Sequence, residues 1–151
     1  MKTALVAAAF IAVAAICEAK QHSSFRAHTE ANASNGPVFS TQVRLFGRTV
    51  TIEKVPTLSE NEVIGFKGYR AADGTFGGLF EFNEHGTLAL DTLSVEHRGR
   101  SLFIFVNNRP ITELRIDRRV TDGKIYIASG LTVNDVALLQ KDWPPRRPRK
   151  K

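Results

Sequence analysis

Short apolar runs of strand length, separated by tight-turn residues, fill most of the chain from residue 38 onward. Asp73-Gly74 and Asp122-Gly123 are pairs in which glycine supplies the positive φ that tight turns need, and the aspartate side chain favours the turn. Asn107-Asn108 is a further turn signal. Runs this short are typical of strands rather than of stand-alone helices. The pattern therefore predicts a fold built mainly from antiparallel strands.

The strand signals differ along the chain. Segments 38–46 and 49–55 alternate β-branched residues and predict a hairpin that turns at Gly47-Arg48. The apolar run at 79–82, which follows the Gly-rich turn, predicts another strand.

Three later strands are expected to form one antiparallel sheet. The run at 101–106 is apolar throughout, as in a strand buried on both faces. Segment 111–117 alternates apolar and polar residues after the asparagine turn, and segment 124–127 follows Asp122-Gly123.

Capping signals and helical spacing predict helices between the strands. Ser59 and Glu62 have the spacing of a capping box, and Thr132 with Asp135 forms a similar pair. The expected helices begin at Ser59, cover 88–97 and cover 133–141. Helices combined with a mostly antiparallel sheet define the α+β class, with two or three helices packed on one face of the sheet.

The N-terminus has the pattern of a cleavable signal peptide over residues 1–19. Lys2 precedes an uninterrupted apolar run from Ala4 to Ile16, and Cys17-Glu18-Ala19 supplies small residues for cleavage after Ala19. An uncleaved anchor is the alternative, but a span needs about 20 apolar residues. Lipoprotein processing is disfavoured because Ile16 precedes Cys17. We therefore expect an exported protein, periplasmic or secreted, with no cysteine in its mature chain.

The rest of the chain divides into three predicted parts. Residues 20–36 are mostly small and polar, with Phe25 isolated among them, and are expected to be a flexible linker. Residues 37–143 are expected to form a single α+β domain. Residues 144–151 are broken by prolines and are expected to be a disordered basic tail.

Charge is concentrated in that tail. The net charge is +6, and five basic residues of the tail carry most of it: Arg146, Arg147, Arg149, Lys150 and Lys151. Such a segment can attract anionic lipid, at about 1 kcal/mol per basic residue near a charged surface, or an acidic polysaccharide. The alternative is a solvated terminus that only aids solubility. Nucleic acid is not expected as a partner of an exported protein.

Within the fold, Arg118 and Arg119 form the one charged cluster that interrupts a strand pair. Two guanidinium groups can bind a carboxylate or phosphate of a partner. The alternative is an exposed turn with a local ion pair to Asp117. Tyr69, Phe76 and Phe80 flank the Gly-rich turn and form either an aromatic binding patch or a buried anchor.

No residue pattern indicates catalysis, a metal or a cofactor. Even along one helix, the pairs Glu84-His85 and Glu96-His97 would lie about three turns apart, too far to share one metal ion. No serine has the Gly-x-Ser-x-Gly context of an activated nucleophile. We therefore expect a protein that is not an enzyme.

Residues 82–142 carry an ordered series of motifs. Gly-x-Leu-Ala-Leu-x-x-Leu-Ser at 86–94 is followed by Arg-Gly-Arg-Ser-Leu at 98–102, by Phe-Ile-Phe-Val-Asn-Asn-Arg at 103–109 and by the segment 122–132. This region, less than half of the chain, resembles the head of the first periplasmic domain of SecD, the preprotein-translocase accessory subunit. The resemblance implies a ferredoxin-like or SecD-head-like fold that contacts polypeptide in the cell envelope without cofactor or metal.

The resemblance has one large departure. SecD crosses the membrane several times and couples translocation to the proton gradient, whereas no span is expected here after the signal. The leading hypothesis is therefore an exported, non-catalytic binding domain of the envelope with a protein or polypeptide partner. The alternatives are a structural accessory subunit or an unrecognised hydrolase. An apolar groove would favour binding, a broad flat apolar face a structural role, and a cleft joining His97 to a carboxylate a hydrolase.

Overall fold

Strands make up the largest share of the computed structural model, which describes residues 21–32, 34 and 36–146. The predicted signal peptide and its cleavage site lie outside the described residues, as do residues 147–151 of the predicted tail. In chain order the elements are β1 (Phe25–Thr29), α1 (Gly36–Phe39), β2 (Ser40–Leu45), β3 (Arg48–Glu53), β4 (Leu58–Ser59), β5 (Val63–Arg70), β6 (Phe76–Phe82), α2 (Glu84–Glu96), β7 (Ser101–Val106), β8 (Arg109–Arg115), β9 (Lys124–Leu131) and α3 (Val133–Asp142).

The strands form three antiparallel sheets. The largest has the order β4-β1-β7-β8, another is the β2-β3 hairpin, and the third has the order β5-β6-β9. Together with the helices this is an α+β fold, so the predicted class is confirmed. The predicted hairpin is also confirmed, but its turn is Phe46-Gly47 rather than Gly47-Arg48, because Leu45 pairs with Arg48 across it. Its first strand begins at Ser40 rather than at Val38, because residues 36–39 form α1.

The predicted linker is wrong over Phe25–Thr29. These residues form β1, an inner strand of the largest sheet, paired with β4 on one side and β7 on the other. Phe25, Ala27 and Thr29 are buried on one face and alternate with more exposed residues. Ala27 is small and Thr29 is polar, so the sequence shows no alternation of large apolar residues here. The segment therefore has the sequence pattern of a polar linker.

The expected three-stranded sheet is also wrong. β7 and β8 pair with each other, but β9 pairs with β6 in a different sheet. The Asp122-Gly123 turn is present, with φ of 63° at Gly123, but a turn signal does not specify which strand the chain joins next. Since β9 continues the sheet of β5 and β6, the strands β8 and β9 are left as edges of separate sheets.

The helix boundaries follow the capping residues. Ser59 and Glu62 form the predicted capping box, but it opens a single 3-10 turn over Glu60–Glu62, and the chain then enters β5. Asn83 caps α2 through its side chain, so this helix starts before the predicted position at Leu88. Thr132 and Asp135 cap α3 as predicted.

Aromatic packing joins the largest sheet to the β5-β6-β9 sheet. The ring of Phe25 lies 4.6 Å from Phe80 and 5.5 Å from Phe82, measured between centroids. Phe66 lies 4.8 Å from Phe80 and covers Gly78, where an added Cβ would come within 2.2 Å of the Phe66 ring. Glycine at 78 therefore makes room for the central aromatic cluster.

Asp135 ties α3 to the turn between β7 and β8. Its carboxylate accepts from Thr132 and from the Asn107 amide at 2.8 Å, and it forms an ion pair with Arg109. Burial acts to raise the pKa of Asp135, but the Thr132 and Asn107 hydrogen bonds and the Arg109 charge outweigh it, so the pKa lies below its usual value.

Replacing Phe25 tests whether β1 belongs to the fold. Phe25→Ala should lower the free energy of unfolding by about 3–5 kcal/mol, because a fully buried ring is lost and a cavity remains. Phe39→Ala, at a side chain that is 71% exposed, should change it by less than about 0.5 kcal/mol. Urea denaturation measures both. Equal stabilities would mean that the segment is a linker after all.

Asp135→Asn tests the contribution of the buried carboxylate. A carboxyl with a lowered folded pKa stabilises the fold above its unfolded pKa of about 3.9 and loses that effect as the pH falls through the folded value. The free energy of unfolding of the variant should therefore be about 1–3 kcal/mol below that of the parent near neutral pH. This difference should become smaller below about pH 4. Asp117→Asn, at an exposed side chain, serves as the control. A stability difference between parent and Asp135→Asn that stays constant with pH would contradict a lowered pKa for Asp135.

Candidate functional site

A cleft of about 650 Å³ lies between the facing edges of β8 and β9. The two strands touch where Gly130 meets Ile111, since a Cβ on Gly130 would come within 3.3 Å of that side chain. They belong to different sheets and are not paired with each other. The segment 116–122, which we call the strap, connects them and borders the cleft.

The backbone of β8 is unpaired on its outer side. Ile116 donates its N–H to the Arg100 carbonyl, so its backbone points toward β7. Backbone direction alternates along a strand, so the N–H and C=O groups of Glu113 and Arg115 point away from β7. As β8 is an edge strand, these groups are open to a further strand.

β9 presents its edge in the same way. The Gly123 carbonyl accepts from the Phe82 N–H at 2.9 Å and so points toward β6. By the same alternation, the backbone of Tyr126 points away from β6. Two edges that each accept a strand thus border one cleft.

The lining of the cleft is largely apolar. Leu90 and Leu93 of α2 contribute buried side chains, while Leu114 is half-buried on β8. The Tyr126 side chain is 58% exposed on β9. The cleft can therefore accept an apolar side chain while its border offers backbone hydrogen bonds.

The strap is fastened to α2 at two points. Arg119 forms a bidentate ion pair with Asp91, with N–O distances of 2.5 and 2.8 Å. The Val120 N–H donates to the Ser94 hydroxyl at 2.9 Å. The Arg119 hydrogen bond and charge hold the pKa of Asp91 below its usual value, so the pair is ionised at neutral pH. These contacts hold the strap against α2 and so fix its position at the border of the cleft.

The predicted arginine pair is split by the structure. Arg119 pairs with Asp91, 28 positions away, rather than with Asp117, so the local ion pair considered from the sequence is not the one that forms. Arg118 is exposed, borders the cleft and makes no ion pair among the described residues. Its role as a partner-binding residue remains a prediction.

The tail residues are only partly described. Arg146 lies against β5, where its Cγ would be 3.3 Å from a Cβ on Gly65, and the Trp143 carbonyl accepts from the Phe66 N–H. The other predicted tail residues lie outside the described part of the chain: Arg147, Arg149, Lys150 and Lys151. Attraction of the tail to lipid or polysaccharide stays a prediction.

The aromatic residues around the Gly-rich turn are mostly anchors. Phe80 is fully buried and Phe76 is half-buried against the core. Tyr69 stacks on Tyr126 with a centroid distance of 5.2 Å, and its hydroxyl donates to the Ile127 carbonyl. Burial and the neighbouring Tyr126 raise the pKa of Tyr69, which is therefore neutral at physiological pH.

A second cleft, of about 350 Å³, joins His97 to Glu96 and Glu53 along α2, with His85 at its other end. This is the feature expected of a hydrolase, so its chemistry matters. The Nδ1 atom of His97 is buried and has no hydrogen-bond partner among the described residues. Thr57 also lines this cleft, but its hydroxyl is hydrogen-bonded to the Thr29 hydroxyl and not to His97. Within the described residues the cleft holds no nucleophile paired with a base, and no group of three or more metal-ligating side chains occurs.

The sequence patterns did not reveal the cleft between β8 and β9. Its apolar residues look like ordinary core residues in the sequence, because the cleft exists only where two sheets diverge. The turn residue Asp122 lies at the border of the cleft, but a turn signal in the sequence does not predict a cleft.

No protein-family model matches the chain, and no curated protein matches it in sequence. Its fold is similar to two solved structures. One is a membrane component, SecDF, that enhances protein export: TM-score 0.57 and 15% identity over 87% of this chain and 70% of the other. The other is SecDF in a super-membrane-facing form: TM-score 0.56 and 13% identity over 80% of this chain, but only 19% of the other.

These comparisons confirm the resemblance to SecD at the level of fold. The chain corresponds to about a fifth of the length of the second structure. In the described part of the chain, no helix is long and apolar enough to cross a membrane.

Asp91→Asn tests the fastening of the strap. Loss of the ion pair with Arg119 should free the strap and speed tryptic cleavage after Arg118 and Arg119 several-fold, because proteolysis follows local opening. Glu96→Gln, on the same helix and with no ion pair among the described residues, is the control. Cleavage rates are measured by mass spectrometry under native conditions. An unchanged rate in Asp91→Asn would show that the ion pair does not hold the strap.

Proposed function

We propose that this chain is an exported, non-catalytic accessory domain of protein export that binds extended polypeptide in the cleft between β8 and β9. The observation that carries the proposal is the pair of unpaired strand edges bordering one apolar cleft. The similarity in fold to SecDF, described as enhancing protein export, supports the same setting. The N-terminal signal-peptide pattern supports export.

Binding would follow the physics of strand addition. An extended segment pairs its backbone with β8 or β9, and each hydrogen bond adds about 0.5–1.5 kcal/mol net. A side chain of the segment enters the cleft and buries apolar area at about 25 cal/mol per Å². Backbone pairing does not depend on sequence, so such a site accepts many polypeptides with modest affinity.

Different residues of the chain would supply the hydrogen bonds and the apolar contacts. The backbone of Tyr126 and Arg115 offers the edge groups, and Leu90, Leu93 and Leu114 supply apolar contact. The strap limits the length of segment that fits. No step requires a cofactor or a covalent change.

A structural role is the second candidate, and one surface favours it. Val38, Phe39 and Val55 are each more than 70% exposed. Val38 and Phe39 lie in α1, and the Phe39 carbonyl accepts from the Lys54 N–H, which places Val55 nearby. Exposed apolar side chains grouped in this way mark contact surfaces of larger assemblies.

Fluorescence polarisation with a labelled peptide of about eight residues, alternating valine with serine, tests the binding proposal. Tyr126→Pro removes an outward N–H, which an edge strand tolerates, and Leu114→Trp fills the cleft. Each variant should weaken binding about tenfold, the effect of 1.4 kcal/mol. Gln42→Pro removes an outward N–H from edge strand β2, away from the cleft, and should bind like the parent.

The controls separate the candidates. If Gln42→Pro weakens binding as much as Tyr126→Pro, or if the parent does not bind the peptide, the proposal is wrong. Binding lost only in Phe39→Ser would place the contact on the surface of α1 and favour the structural role.

A further inference from the structure

Charged side chains of both signs line the border of the cleft. Six charged residues line it: Arg115, Asp117, Arg118, Arg119, Asp122 and Lys124. Four cations face two carboxylates, which gives a net charge of +2.

Two of these cations are already neutralised within the fold. Arg119 is bound by Asp91 in a bidentate pair, and the Lys124 Nζ lies 3.8 Å from a Glu81 carboxylate oxygen. The charges that remain are Arg115 and Arg118 against Asp117 and Asp122, which sum to zero over the whole border. Three of these four lie together at the end of β8, where Arg115, Asp117 and Arg118 give a local net charge of +1.

Arg115 and Arg118 are exposed and form no ion pair among the described residues. The nearest acidic neighbour of Arg115 along β8 is Glu113, but that carboxylate is held by Arg48 and by the Ser101 hydroxyl. The Asp122 carboxylate accepts the backbone N–H of Lys124. Asp117 lies between the two arginines in the chain but forms no ion pair with either among the described residues. Both guanidinium groups are thus open to a carboxylate from outside the chain.

Both arginines lie at the same end of the cleft. Arg115 is the last residue of β8, and Arg118 follows three positions later in the strap. A strand advances about 3.3 Å per residue. A carboxylate that reaches them therefore lies within a few residues of the side chain that enters the cleft.

We propose that the cleft selects extended segments in which an apolar residue is followed or preceded closely by Asp or Glu, with Arg118 and Arg115 binding the carboxylate. This inference rests on the proposed function and names its class of partner. Guanidinium groups match carboxylates bidentately. At an exposed border such pairs tune specificity and association rate more than affinity.

The test uses three peptides that share one apolar sequence and differ at a single flanking position, which is Glu, Gln or Lys. The full chain should bind the Glu peptide about two- to five-fold tighter than the Gln peptide, the range for exposed ion pairs, and the Lys peptide more weakly. Arg118→Gln should abolish most of this preference, and Arg118→Glu should reverse it toward Lys. The preference should shrink as salt rises.

Arg44→Gln is the matched control. Arg44 is exposed on β2, makes no ion pair among the described residues and is not among the residues that line the cleft. Its substitution removes the same charge and should leave the preference for Glu unchanged. Because the basic tail is intact in every variant, a change confined to Arg118 cannot arise from the tail.

The outcomes separate the two levels of the proposal. If all three peptides bind equally and Tyr126→Pro weakens each of them, the polypeptide site stands and the acidic preference is overturned. A preference that survives Arg118→Glu, or falls equally in Arg44→Gln, overturns it too. If none of the peptides binds the parent, the proposed function fails along with the inference.

Discussion

The packing of Phe25 against Phe80 holds the two larger sheets in their relative positions. It joins β1, inside the largest sheet, to β6, inside the β5-β6-β9 sheet. From these two strands one sheet extends through β7 to β8 and the other extends to β9. Both sheets therefore end on the same side of the molecule, and the cleft between their edges is a consequence of this packing.

An open strand edge is normally a liability, because it can pair with any extended chain. Here two edges lie next to each other, and the strap between them is fastened to α2 by Arg119 and Asp91. The strap occupies one end of the cleft, and the contact of Gly130 with Ile111 closes the other. The exposed edge is thereby confined to a short stretch, which suits transient contact with a polypeptide better than continuous sheet growth.

Fold and function rest on different observations in this protein. The similarity to SecDF at 15% and 13% identity establishes the fold, and a fold by itself hosts many functions. We propose polypeptide binding because the edges of β8 and β9 border an apolar cleft. We propose acidic partners because Arg115 and Arg118 form no ion pair among the described residues.

Local structure could be predicted from the amino-acid sequence alone: the β2-β3 hairpin, the capping residues Ser59 and Thr132, the turn at Asp122-Gly123 and the α+β class. These follow from interactions between residues close in the chain, which a sequence pattern records directly. Long-range packing settles three other features: β1 is an inner strand, β9 leaves the sheet of β8, and Arg119 pairs with Asp91. Each of these depends on contacts between distant segments, and burial of small or polar residues such as Thr29 leaves no periodic signal in the sequence.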